Sequence, residues 1–127
     1  MKEPRFRCPT SKAINELSLE LELPGNMQDW EWIVGKPEDV KKYITHYNTL
    51  KDDDKKFTLM ELIIQAVTDQ ADEDFIKFWN IIKPLLKTNF AIHEYSIFYW
   101  CCFENENIND CWKITPFIRQ LWQELKA

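Results

Sequence analysis

Val40, Tyr43, Ile44 and Tyr47 fall at i, i+3, i+4 and i+7, a spacing that lays apolar side chains along one face of a helix. Pro37 suits the first turn of that helix, where a missing N–H costs no hydrogen bond, and Glu38 and Asp39 favour its positive end. A helix over 37–49 is predicted. Asp52 then supplies a cap for a second strong pattern, in which Phe57, Met60, Ile64 and Val67 form one stripe. Leu59, Ile63 and Ala66 widen the stripe, so this helix should be buried on more than one side. Asp72 to Asp74 open a third run with Phe75, Phe78, Trp79 and Ile82. Pro84 is predicted to kink or end it near residue 83. "FAIHEYSIFYWCCF" (90–103) continues as a largely buried helix through Ile97 and Trp100. Thr115-Pro116 reads as a cap and first helical residue before Phe117, Ile118, Leu121, Trp122 and Leu125.

The first third of the chain is ambiguous. In "TSKAINELSLELELPGN", Ile14, Leu17 and Leu21 keep helical spacing, yet Leu17, Leu19, Leu21 and Leu23 alternate as a strand would. With no second convincing strand to pair with, helix is the better reading. "MQDWEWIVGK" (27–36) alternates through Trp30, Trp32 and Val34 and is predicted as an extended segment or a single turn. The fold class is therefore all-α: a compact bundle or short helical array of about six helices. One domain over 1–127 is expected, with 1–9 as a loose N-terminal segment.

Composition supports this and narrows the function. The 127 residues are 45% hydrophobic and 14% aromatic, enough for a real core. Two glycines are few for a fold rich in tight turns or for a phosphate-cradling loop. "MKEPRFRCPT" lacks an apolar h-region and no apolar run reaches the roughly 20 residues of a membrane span. A soluble cytoplasmic protein with reduced cysteines is expected.

Charge changes the picture more. Residues 14–74 carry fifteen acidic and six basic side chains, while 75–127 carry five and six. A nucleic-acid binder needs a basic face, so this balance argues against one and for a basic protein partner. Asp29, Trp30, Glu31 and Trp32 form an acidic, aromatic stretch suited to that partner. Trp112 and Arg119 are further candidates for partner binding. Arg119, in the first turn of the last helix, is poorly placed for the dipole there and is expected to pair with a carboxylate or stay exposed.

Visible chemistry is concentrated in "CCFENENINDCW" (101–112). Structural zinc usually takes two close cysteine pairs. Cys101, Cys102 and Cys111 do not make them, and adjacent helical cysteines diverge by roughly 100°. A calcium loop starting at Asn105 fails at Asp110 and Pro116, where glycine and glutamate are needed. The segment reads as buried thiols flanking an asparagine-rich turn, with no metal and no cofactor. His46 and His93 are the only imidazoles, and neither sits beside a recognisable nucleophile turn.

Four segments, "MQDWEWIVGKPEDV", "KFTLMELIIQAV", "YSIFYW" and "CWKITPFIR", give the chain a resemblance to a group of small, stand-alone, uncharacterised helical bacterial proteins. The resemblance implies a bacterial cytoplasmic protein of all-α fold. The leading expectation is a non-enzymatic protein-interaction module, of which an immunity-type protein masking a toxin is one concrete form. The alternatives are a metal- or cysteine-dependent enzyme or sensor using Cys101, Cys102, Cys111 and His93, and a small-molecule-binding helical protein.

Overall fold

A computed structural model describes residues 3–24, 30 and 34–126. Six α-helices and two short 3₁₀ turns lie among them, with no strand. The all-α class expected from the apolar spacing is the one observed. Where length and composition predict one domain, contacts divide the chain into two units: residues 8–70, and residues 1–7 with 71–127. No linker composition marks the boundary at Gln70-Ala71.

In the 8–70 unit, α1 spans Ser11–Leu21, and the Thr10 hydroxyl caps it by accepting from the Ala13 N–H at 3.0 Å. Leu17 and Leu21 are buried while Leu19 is 82% exposed. The leucine alternation is thus incidental, and the helical spacing is what faces the core. The helix stops at Glu22, whose φ of 58° is left-handed, and the Leu23 N–H closes back on the Ser18 carbonyl at 2.8 Å. Trp30 and Val34, predicted to be extended or in a single turn, have helical backbone. The helix predicted over 37–49 is a 3₁₀ turn, Pro37–Asp39, followed by α2, Val40–Tyr47. It ends early because Thr49 and Leu50 tighten into three-residue bonds to the His46 and Tyr47 carbonyls.

The third helix, α3 (Asp53–Thr68), is the centre of this unit and packs on α1, α2 and the Pro37 turn. Asp52 caps it, accepting from the Lys55 N–H at 2.9 Å. From Phe57 to Thr68 every residue except Glu61 is buried, so the widened stripe does mark a helix covered on more than one side. Each fully buried Leu or Ile contributes on the order of 2 kcal/mol. Polar groups caught in this core are hydrogen-bonded. The Thr58 hydroxyl donates to the Asp54 carbonyl (2.7 Å), and the Gln70 amide donates to the Pro37 and Ala66 carbonyls (2.8 and 3.1 Å).

The other unit holds α4 (Asp72–Thr88), α5 (Phe90–Trp100) and α6 (Thr115–Lys126). Pro84 neither ends nor interrupts α4. Pro84 and Asn80 are both exposed, so the Asn80 carbonyl that loses its N–H partner can turn to water. Aromatic rings join the helices: Phe75 lies edge-on to Phe117 at 4.9 Å, and Phe98 meets Trp122 at 5.5 Å. Within the segment expected to be loose, Phe6 and Arg7 make contacts with α5. The Phe6 ring lies edge-on to Tyr95 at 5.1 Å, and Arg7 Nη1 donates to the Ile92 carbonyl at 3.3 Å. No described helix is long and apolar enough to cross a membrane.

Candidate functional site

The expected acidic and aromatic partner stretch is only partly in view, because Asp29, Glu31 and Trp32 lie outside the described residues. Trp30 is described, and it is 1% exposed. Its indole N–H donates to the Pro24 carbonyl at 2.5 Å, which ties the chain after α1 to the core. This corrects the expectation of a surface Trp30. A large ring gains more from burial once its single polar atom has a partner.

What the 8–70 unit does present to solvent is carboxylate. Asp52, Asp53 and Asp54 are exposed at the start of α3, and Glu38 and Asp69 are exposed near its other end. The Gln70 bond to the Pro37 carbonyl draws these last two parts of the chain together. Below them the Tyr43 hydroxyl donates to the Val34 carbonyl at 2.5 Å. Burial, with the nearby Asp39 and Glu38 carboxylates, pushes its pKa up to about 12.

A second polar feature joins all three helices of this unit. Glu20 on α1 accepts from His46 Nε2 on α2 at 2.7 Å and pairs with Lys55 on α3. Lys55 also lies 3.9 Å from Glu16. Partial burial raises the Glu20 pKa, but the hydrogen bonds from Lys55 and His46 outweigh it and hold the carboxyl below its ordinary value. Beside this network a concavity of about 360 Å³ is lined by Leu21, Lys41, Lys42, Thr45, His46 and Thr49. The Lys42 ammonium is occupied with the Leu21 carbonyl at 3.0 Å, at the negative end of α1. Sequence spacing offers no signal for this network, since Glu20, His46 and Lys55 lie on three separate helices.

In the aromatic unit, Trp112 is half-buried and packs at a tilt against Trp100 (centroids 4.5 Å apart) and Tyr99 (5.7 Å), pinning the 101–114 connection to α5. Arg119 pairs with carbonyls rather than with a carboxylate. Its Nε donates to the Cys101 carbonyl (2.6 Å) and its Nη2 to the Cys102 and Asn105 carbonyls (2.8 and 3.4 Å). The guanidinium lies over the Phe103 ring at 5.4 Å. These carbonyls sit at and beyond the C-terminal end of α5, where a cation complements the dipole. Thr115, expected to cap α6, is its first residue. Its hydroxyl donates to the Trp100 carbonyl at 3.0 Å.

The cysteines separate by environment. Cys8 is exposed, Cys111 is half-buried, and Cys101 and Cys102 are buried. Burial pushes the Cys101 thiol up to about 12 despite the opposing charge of Arg119. His93 and Ser96 are fully buried on α5. Among the described residues no three His, Cys, Asp or Glu side chains are grouped to hold a metal ion. No family model, curated protein or solved structure matches the chain.

Proposed function

We propose that this is a non-enzymatic, cytoplasmic interaction protein that binds a basic protein partner through the acidic surface of residues 8–70. One observation carries the reading: the whole net charge of −5 falls in that unit, which holds twelve acidic and seven basic side chains. Its exposed carboxylates stand near both ends of α3, a helix buried from Phe57 to Thr68 except at Glu61. Fixed surface charge of one sign speeds encounter with a partner of the other and sets its orientation. Masking a basic toxin domain is one form this binding takes.

The test is capture from extract of the native host, with partners identified by mass spectrometry and binding repeated over rising salt. Wild-type protein is expected to retain a stoichiometric basic protein that is released by about 0.5 M salt, where screening shortens to a few ångströms. The Asp52→Lys/Asp53→Lys/Asp54→Lys variant should lose it. Retention that is unaffected by salt and by charge reversal overturns the proposal.

A further inference from the structure

Residues 5–7 and the first half of α5 enclose a cavity of about 320 Å³, with Arg5, Phe6 and Arg7 on one side and Ile92, Glu94 and Tyr95 on the other. Both sides belong to one unit. Two contacts hold the segment against the helix: Phe6 lies edge-on to Tyr95 at 5.1 Å, and Arg7 Nη1 donates to the Ile92 carbonyl at 3.3 Å. A neutral carbonyl orients a guanidinium without cancelling its charge. Among the described residues Arg5 has no carboxylate partner. Glu94 is the one carboxylate of this lining, and its Oε2 is paired with Lys126 Nζ at 2.5 Å. The cavity therefore holds two arginine charges and an acid that is already answered from outside it. Phe6 is 68% exposed, so most of its ring surface is open beside those two cations.

We propose that this cavity binds a small phosphate monoester carrying a flat ring, of the nucleoside monophosphate class. A phosphate monoester brings close to two negative charges at neutral pH and three acceptor oxygens. The guanidiniums of Arg5 and Arg7 match that charge, and their forked donors pair with phosphate oxygens two at a time. A carboxylate answers only one of the two. The ring of the ligand stacks on the open surface of Phe6 next to Tyr95, and Glu94 accepts from N–H groups at the edge of the base. A volume of about 320 Å³ stands at the small end of the range for ligand sites, which suits one nucleotide better than a dinucleotide. A longer nucleic-acid strand needs a basic groove to follow its backbone, and this unit carries nine acidic and nine basic side chains. Side chains rather than a glycine-rich loop do the recognising, as befits a chain with two glycines.

The experiment titrates the full-length protein with AMP, GMP, CMP and UMP, and with adenosine and inorganic phosphate, by calorimetry at neutral pH and low salt. At least one of the four nucleotides is expected to bind at one per chain with Kd below about 1 mM. Adenosine and phosphate, each lacking half of the ligand, should bind at least about tenfold more weakly than AMP. Arg5→Ala should weaken nucleotide binding by about 10- to 100-fold and Phe6→Ala by about 5- to 100-fold. Phe6→Trp should retain it. Both positions are exposed, so the circular dichroism of these variants should match wild type, and the wild-type comparison of AMP with phosphate tests the ring without any variant. Lys41→Ala/Lys42→Ala, in the concavity of the other unit, should change nothing. No nucleotide binding below about 1 mM, adenosine or phosphate binding as tightly as AMP, or binding that survives Arg5→Ala and Phe6→Ala overturns the proposal. Loss of binding in the Lys41/Lys42 variant also overturns it, since the anion then sits elsewhere.

Discussion

Residues 8–70 carry twelve acidic and seven basic side chains but only five of the eighteen aromatic rings. Residues 1–7 with 71–127 carry nine of each charge and thirteen of the rings. Both units are helical, yet different chemistry joins their helices. In the acidic unit, aliphatic side chains of α3 fill the centre, and polar side chains tie helix to helix through Glu20, Lys42 and Gln70. In the neutral unit, rings span the gaps between helices and one arginine satisfies the carbonyls at the end of α5. The lesson is that net charge, rather than charge as such, segregates away from aromatic packing here: the two units hold nineteen and eighteen charged side chains, but only the aromatic one is balanced. That leaves one unit free to carry a field of one sign.

The largest test of that contrast is ring deletion. Trp122 is buried against Phe98 and Phe103 and lies under the Lys126 ammonium at 5.0 Å. Trp122→Ala should cost about 3–5 kcal/mol, and Leu62→Ala in α3 about 2–5 kcal/mol. Both are read from urea unfolding followed by circular dichroism. A Leu62→Ala cost well above that of Trp122→Ala would show the aliphatic unit to be the more tightly packed.

Next in size is Arg119→Met, which keeps the apolar stem but removes charged donors from three carbonyls, at about 2 kcal/mol. Arg119→Lys should recover less than half of the loss, because a single ammonium cannot reproduce the forked donor. Full recovery by lysine would mean that charge alone matters at the α5 terminus.

A smaller effect depends on pH. The Glu20 carboxyl is held below its ordinary value of 4.5, so its stabilisation is present above that value and is lost as pH falls through the lower folded-state value. The pairs are partly exposed, which keeps the effect to about 1 kcal/mol or less. Wild type and Glu20→Gln should therefore differ in urea midpoint at neutral pH and converge in acid. A constant difference across that range would remove the ionic contribution. The smallest effect is a gain: Glu22 is exposed with φ of 58°, and Glu22→Gly should stabilise the protein by about 0.5–1 kcal/mol in the same assay.

The helices with strong apolar stripes were legible from spacing alone, because α2, α3 and α6 each bury one face or more. Misreadings occur where a local rule met a tertiary answer. Pro84 is compatible with α4 because the freed carbonyl faces solvent, and which side of a helix is wet is not written at the proline itself. Trp30 looked like a surface anchor because its neighbours are acidic, but burial is decided by where the Pro24 carbonyl lies in space. Arg119 lacked a visible partner since its acceptors are backbone carbonyls, which every residue has.

The close, tilted packing of Trp100 against Trp112 has an optical consequence. Two indoles with centroids 4.5 Å apart and planes inclined by 54° couple their electronic transitions, so they absorb as a pair. Their paired circular-dichroism bands overlie the helix signal in the far ultraviolet, and helix content read there is biased by one aromatic contact. The same bands give a built-in optical probe of the α5–α6 connection that vanishes in Trp112→Phe and needs no added label.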